Sequence, residues 1–236
     1  MSKQRSPKIE DFAYDFLQSH YRAAYTATSI KVKQNVQTRA DKQVDALFLF
    51  DTVDNSPFCA ALVTASSSGL ANLLTRYKKN GLSKWRFLTA FLALIGIGFL
   101  LKAIVHWAIA AGIAVAAALA LFILHSVLEK KQLKGKISDL VDNVDSFPAN
   151  EKWLGISISS LTFRNNDLAR HLLQLCQQKG IGILTVGQRA KVVLMQEPKA
   201  LHSRGENFIA NYILPEEPEA KPQNGKKGPD SNLKVA

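Results

Sequence analysis

The stretch from Phe87 to Leu128, FLTAFLALIGIGFLLKAIVHWAIAAGIAVAAALALFILHSVL, constrains this chain more than any other: its 42 positions hold one formal charge, Lys102. A bilayer's hydrocarbon core is about 30 Å thick and takes about 20 apolar residues per helix, so the run has the length of two passes. Lys102, His106 and Trp107 mark a break between them. Trp85 before the first pass and Trp107 before the second stand where indole rings favour the headgroup layer. A buried hairpin in a soluble core is the other fold open to such a run. Core helices ordinarily keep a polar stripe, however, and neither of these has one. The expectation is a helical membrane hairpin with water-soluble sequence on both sides.

Of 236 residues, roughly 190 remain outside the run, enough for one ordinary soluble domain and too few for two large ones. The net charge of +11 raises nucleic acid as a partner, but much of the excess flanks the apolar run. Arg76, Lys78, Lys79, Lys84 and Arg86 precede it, and Lys130, Lys131, Lys134 and Lys136 follow it. Basic residues are retained on the cytoplasmic side, so these flanks predict a two-pass protein of the cytoplasmic (inner) membrane with both termini inside. Trp85, Arg86, Lys102, Trp107, Lys130 and Lys131 are the expected interface residues, with the lipid bilayer and its anionic lipids as partners. Nucleic acid is the weaker candidate partner, through Lys31, Lys33, Arg39 and Lys42. Cys59 and Cys176 lie in apolar segments without a second Cys or His at ligand spacing, which predicts buried free thiols in a reducing compartment. The N-terminal MSKQRSPKIEDFAYDF has no continuous apolar core, so the first hairpin helix is expected to act as the insertion signal.

In chain order, Ile9, Phe12, Ala13, Phe16, Leu17 and Tyr21 recur at helical spacing after Pro7 and predict an amphipathic helix. Ser29 to Val36 alternates as an exposed-face strand, Val44 to Asp51 is a denser run suited to a strand covered on both faces, and Phe58 to Ala65 is a third strand. Leu70 to Tyr77 is a short helix. After the hairpin, Lys134 to Phe147 is expected as a separate helix ended by Pro148, then Trp153 to Ser159 as a strand. Asn166-Asp167 caps a helix running to Lys179 and closed by Gly180, followed by strands Ile181 to Val186 and Lys191 to Met195 in a hairpin. Residues 201–236 read as weakly helical near Asn207 to Leu214, then as a disordered, Pro- and charge-rich tail. Neither side holds a finished sheet. The expected fold class is therefore α/β, a mixed sheet of five to six strands flanked by helices and interrupted by the hairpin. Residues 1–84 and 129–200 would form its two halves around residues 85–128.

Four segments, IEDFAYDFLQSHY (Ile9 to Tyr21), VDALFLFD (Val44 to Asp51), FCAALVTASSS (Phe58 to Ser68) and KGIGILTVGQRAKVVL (Lys179 to Leu194), resemble the core of the restriction-endonuclease-like PD-(D/E)xK superfamily. The resemblance is greatest to its bacterial members with a membrane hairpin. It implies an Asp at the start of the second strand, and a carboxylate and a lysine on the third, binding a divalent cation and activating water. Alternate strand residues face one side, which gathers such groups. Asp45 matches the first position. Thr64 and Ser66 stand where the third-strand carboxylate and lysine belong, and Glu10 matches a helical acidic position. The resemblance thus implies a vestigial site of Asp45, Glu10, Thr64 and Ser66 with no cofactor, or, if a carboxylate has relocated, a Mg²⁺-dependent membrane-tethered nuclease, with defence as a candidate role. The residues alone give Asp45 a bland use as a strand-edge or turn-capping group.

Other motifs carry less. Gly180-Ile181-Gly182 lacks a third glycine and follows a helix, so it is a helix stop and no dinucleotide fingerprint. Ser66 to Ser68 lack the nucleophile elbow, and the histidines at 20, 106, 125, 171 and 202 are scattered. In the second pass Ala108, Gly112, Ala116 and Ala120 repeat every four residues, a smooth face for packing inside the hairpin or for a homodimer. A binding or scaffold module at the membrane is the leading functional expectation. Two passes with one charge give a transporter no polar pathway.

Overall fold

The stripe Ala13, Leu17 and Tyr21 winds into α1 (Ile9–Tyr25) and is buried almost completely. A computed structural model describes residues 9–26, 29–52, 56–65, 68–102, 106–187, 191–200 and 208–213. After α1 come β1 (Lys31–Thr38), β2 (Gln43–Asp51), β3 (Pro57–Ala65) and α2 (Ser68–Asn80). Two apolar helices follow, α3 (Trp85–Lys102) and α4 (Trp107–Asp145). The chain then forms β4 (Glu151–Ile156), a 3₁₀ turn at Ser160–Phe163, α5 (Asp167–Lys179), β5 (Gly182–Val186), β6 (Val192–Gln196), a second 3₁₀ turn at Phe208–Asn211 and β7 (Tyr212–Ile213).

The seven strands make one mixed sheet in the order β6-β5-β4-β3-β2-β1-β7. Its centre, β3-β4-β5, is parallel, and every outer pairing is antiparallel. Strands from before and after the apolar hairpin therefore share one sheet, joined at β3 and β4. Parallel neighbours need a crossover, and the hairpin occupies that connection between α2 and the lower end of α4. Along β2 the side chains alternate as period-two geometry requires: Ala46, Phe48 and Phe50 pack under α1, while Leu47 and Leu49 face the opposite core. Phe147, Ala149 and Tyr212 share the core of Leu47 and Leu49, while Leu70 and Leu74 of α2, Ile137, Val141 and Val144 of α4 and Leu168, Leu172 and Cys176 of α5 cover Leu154, Ile156 and Ile183 of β4 and β5. The result is a three-layer α/β/α sandwich.

Local chemistry fixes several joints. Asn166 Oδ1 accepts from the N–H groups of Leu168 and Ala169 at 3.1 and 3.2 Å, capping α5 as expected from sequence. Gly180, at φ +69°, ends it in the left-handed region. Gly182 has a separate role, because a Cβ there would come within 2.6 Å of the Trp153 ring. The β5–β6 hairpin is present, although residues 188–190 lie outside the described residues.

Three expectations need correction. Among the described residues the strand count is seven, because Tyr212–Ile213, assigned to a weakly helical tail, pairs with Thr38 and Gln37 of β1. Tyr212 is held there by donating its hydroxyl to the Pro148 carbonyl at 2.9 Å. The separate helix expected from Lys134 does not exist: α4 runs unbroken for 39 residues from Trp107 to Asp145. Gly135 lies within it without a kinking partner such as proline, so nothing in the backbone interrupts the i to i−4 ladder. Finally, Ala108, Gly112, Ala116 and Ala120 are exposed, and the hairpin closes instead on Ala110, Ala114 and Ala118. A Cβ on Gly98 of α3 would lie 3.7 Å from Ala114 Cβ, which marks the close approach of the two helices. Both helices are long and apolar enough to cross a membrane, and α3 has no buried residue.

Candidate functional site

Asp45 sits where β2 and β3 part. The β2–β3 ladder ends at Ala46 and Leu62, but β3 continues against β4 through Thr64 and Ala65. On the other side, the β1–β2 register skips Asn35, whose φ of +53° lies in the left-handed region that Asn tolerates. The fork leaves the Thr64 N–H without a ladder partner on β2, and Asp45 supplies one. Its Oδ2 accepts from Thr64 N–H at 2.6 Å and from Thr64 Oγ1 at 2.9 Å. The structure thus brings together two of the four residues singled out from sequence. Ser66 and the side chain of Glu10 lie outside the described residues.

Among the described residues the donors at Asp45 are one carboxylate and one hydroxyl, fewer oxygen ligands than a Mg²⁺ centre takes. A hard dication wants several oxygen ligands, and a nuclease site wants two carboxylates on it. Here one carboxylate has an oxygen already engaged by two donors, and its neighbour offers a hydroxyl. Among the described residues no three His, Cys, Asp or Glu side chains converge on one point. Among the described residues Asp45 acts as a polar clamp on the strand fork.

A second polar cluster escaped sequence reasoning. Glu151, at the first position of β4, is 5% exposed. Tyr21 donates to its Oε2 at 2.7 Å and Tyr25 to its Oε1 at 2.8 Å, while Trp153 Nε1 donates to the Tyr21 oxygen at 2.7 Å. Burial, and then the Glu151 charge, push both phenols well above the ordinary tyrosine range, so each stays a donor. Phe50 and Phe58, with ring centroids 4.9 Å apart, pack against Tyr21 and Tyr25 of the cluster. The arrangement stores a buried acid with both oxygens satisfied. It ties α1, before the hairpin, to β4, after it. Tyr21 and Tyr25 at i, i+4 were the available signal, but their partner is 130 residues away.

The residues expected at a membrane interface divide by position. Trp85 and Trp107 are 67% and 71% exposed at the two starts of the hairpin helices, and Lys102 closes α3. Arg86 lies over the Phe87 and Phe122 rings, 5.1 and 5.2 Å from their centroids. Lys131 is exposed, and Lys130 reaches Asp167 of α5 at 3.4 Å. Cys59 and Cys176 are free and buried in different cores, and burial pushes each thiol up to about 12. At such values neither is a thiolate at neutral pH. Comparison with known protein families, curated proteins and solved structures gives no match for this chain.

Proposed function

We propose that this chain is a two-pass integral membrane protein of the cytoplasmic membrane, whose α/β domain is a catalytically degenerate, endonuclease-like module for binding or scaffolding at the bilayer surface. The observation that carries the reading is α4, a single helix that is apolar and exposed at one end and packed into the sheet's core at the other. From Trp107 to Leu128 it presents Ile109, Ile113, Leu119, Ile123 and Leu128 outward, an apolar surface far beyond the few hundred Å² that a soluble monomer ordinarily exposes. From Ile137 to Val144 it buries three side chains against the sheet. A domain anchored this way cannot move independently of its hairpin. The basic flanks support a cytoplasmic side for both soluble parts. The small-residue face at Ala108, Gly112, Ala116 and Ala120, left open by the hairpin, is where a second copy would pack.

The superfamily resemblance is supported by the succession α1, β1, β2, β3, α2, β4 and by the Asp45–Thr64 contact. Catalysis is not part of the proposal. Replacing a charged metal ligand by a hydroxyl removes several kcal/mol of transition-state stabilisation, about a thousandfold in rate or more. The tests are direct. After an alkaline carbonate wash the protein should stay in the membrane pellet, and its release into the supernatant would overturn the membrane assignment. Purified protein with Mg²⁺ or Mn²⁺ should leave single-stranded and duplex DNA uncut. Cleavage abolished by Asp45→Ala would overturn the non-catalytic reading.

A further inference from the structure

Where the hairpin meets the domain, one side of α2 from Gly69 to Asn80, the linking turn 81–84, Trp85 and residues 129–140 of α4 line a cleft of about 800 Å³. Its shape follows from two local features. Gly81, at φ +68°, ends α2 by returning its N–H to the Tyr77 carbonyl at 2.8 Å, which turns the chain towards α3. Ser83 then donates its N–H to Glu129 Oε1 at 2.7 Å, fastening the turn to α4 one residue beyond the apolar run. The walls are amphipathic, combining Trp85 and Leu133 with Arg76, Lys84 and Lys136. Glu129 Oε2 is buried and has no hydrogen-bond partner among the described residues.

An acceptor of this kind is costly to leave unmet, and a carboxylate asks for a charged N–H donor. The cations around the rest of the cleft ask for an oxyanion. Phosphate alone would answer the lysines and arginine while bringing negative charge towards Glu129. A quaternary ammonium has no N–H to give. We propose that the cleft binds the headgroup of an aminophospholipid, a phosphodiester carrying a primary amine as in phosphatidylethanolamine, with the amine on Glu129 and the phosphate on the Arg76, Lys84 and Lys136 side. This rests on the membrane reading, which puts Glu129 and Trp85 at the depth of lipid headgroups. It goes beyond that reading by requiring a cationic donor where the basic flanks alone would choose any anionic lipid.

The test is native mass spectrometry of the full chain in detergent, titrated with phosphatidylethanolamine, phosphatidylcholine and phosphatidylglycerol of identical tails. The ethanolamine lipid should bind about tenfold tighter than either of the others, the effect of one charge-assisted hydrogen bond. Glu129→Gln keeps an oxygen for Ser83 and should erase that advantage, while Lys136→Gln should weaken the ethanolamine and glycerol lipids together. Tail-less glycerophosphoethanolamine should bind at least about tenfold more weakly than the lipid. Equal binding by the ethanolamine and choline lipids, or an unaltered preference in Glu129→Gln, would overturn the proposal, and equal binding of the tail-less ester would overturn its lipid assignment. Protein that stays in the carbonate pellet yet shows no headgroup preference refutes this site alone. Release by carbonate refutes the membrane reading instead.

Discussion

The two ends of α4 are the same helix under different physical demands. From Trp107 to Leu128 no polar stripe exists, and only Ala110, Ala114 and Ala118 are buried, all against α3. From Glu129 to Asp145 charged residues alternate with Leu133, Ile137, Leu140, Val141 and Val144, which reach the sheet's core. At 1.5 Å per residue the first part is about 33 Å long, close to a bilayer's hydrocarbon thickness, and the second about 25 Å, long enough to lie along the sheet. What differs is the surface each half presents, apolar and exposed in the first, amphipathic and packed on the sheet in the second. A helix can therefore carry rigidity across a boundary that divides the sequence's composition sharply.

Charge placed in either half should break that contrast in opposite ways, and these are the largest effects expected. Ile137→Asp puts a carboxylate in a fully buried apolar place, at a cost on the order of 5 kcal/mol, and should unfold the domain while the hairpin still partitions into membrane. Leu119→Asp should leave the domain folded and weaken insertion by about 3 kcal/mol. Limited proteolysis of membranes from the two variants separates the outcomes, and identical behaviour would deny the two-environment picture. Next in size, Lys131→Pro interrupts the ladder between the halves at about 3 kcal/mol. Spin labels at Ile113 and Asp139, which report one narrow distance across an unbroken helix, should then report a broad distribution. A narrow distribution in the variant would mean that other contacts, and not the helix, hold the two parts together.

The smallest effect is electrostatic and belongs to the lower half only. Asp145 ends α4 between Lys152 at 2.9 Å and Lys179 at 2.8 Å, and Lys179 also reaches Asp142 at 2.9 Å. Partial burial raises the Asp145 pKa, but hydrogen bonds from Lys179 and Lys152 outweigh it and hold the carboxyl below the usual range. A pKa depressed in the folded state adds stability that is present above the unfolded value, near 4, and is lost as pH falls through the folded one. With Asp145 about a third exposed, the contribution is screened to about 1 kcal/mol or less. Urea midpoints followed from pH 6 down to pH 2.5 should lose part of their acid slope in Asp145→Asn. An unchanged slope would place the acid sensitivity elsewhere.

Much of this was legible because its causes are local. The break between Lys102 and Trp107, the Asn166 cap, the Gly180 stop and the two-faced apolar run of β2 each follow from a few adjacent residues. The continuity of α4 was hidden by its change of composition at Glu129: two periodic patterns meet without a Gly or Pro stop, and composition was mistaken for a boundary. The packing face was hidden for another reason. Small residues at 108, 112, 116 and 120 and at 110, 114 and 118 repeat with the same period, so only the position of α3 selects between them. Tyr212–Ile213 is too short to alternate, and the Glu151 cluster and the fork at Asp45 are made by partners far along the chain. Asp45 and Thr64 came into view together through a family resemblance. The structure brings them into hydrogen-bond contact.

The central claim is that α4 passes from lipid into a protein core without a break, and site-directed spin labelling along it tests this most directly. Labels placed singly from Ala108 to Val144 in reconstituted bilayers should be more accessible to oxygen than to a water-soluble nickel chelate up to Leu128, with the difference greatest near Leu119, and should reverse at Lys130 and Lys131. Buried positions at 137, 141 and 144 should be shielded from both reagents. Nickel accessibility that stays high from Ala108 to Leu128 would contradict the account, since the hairpin would then be standing in water.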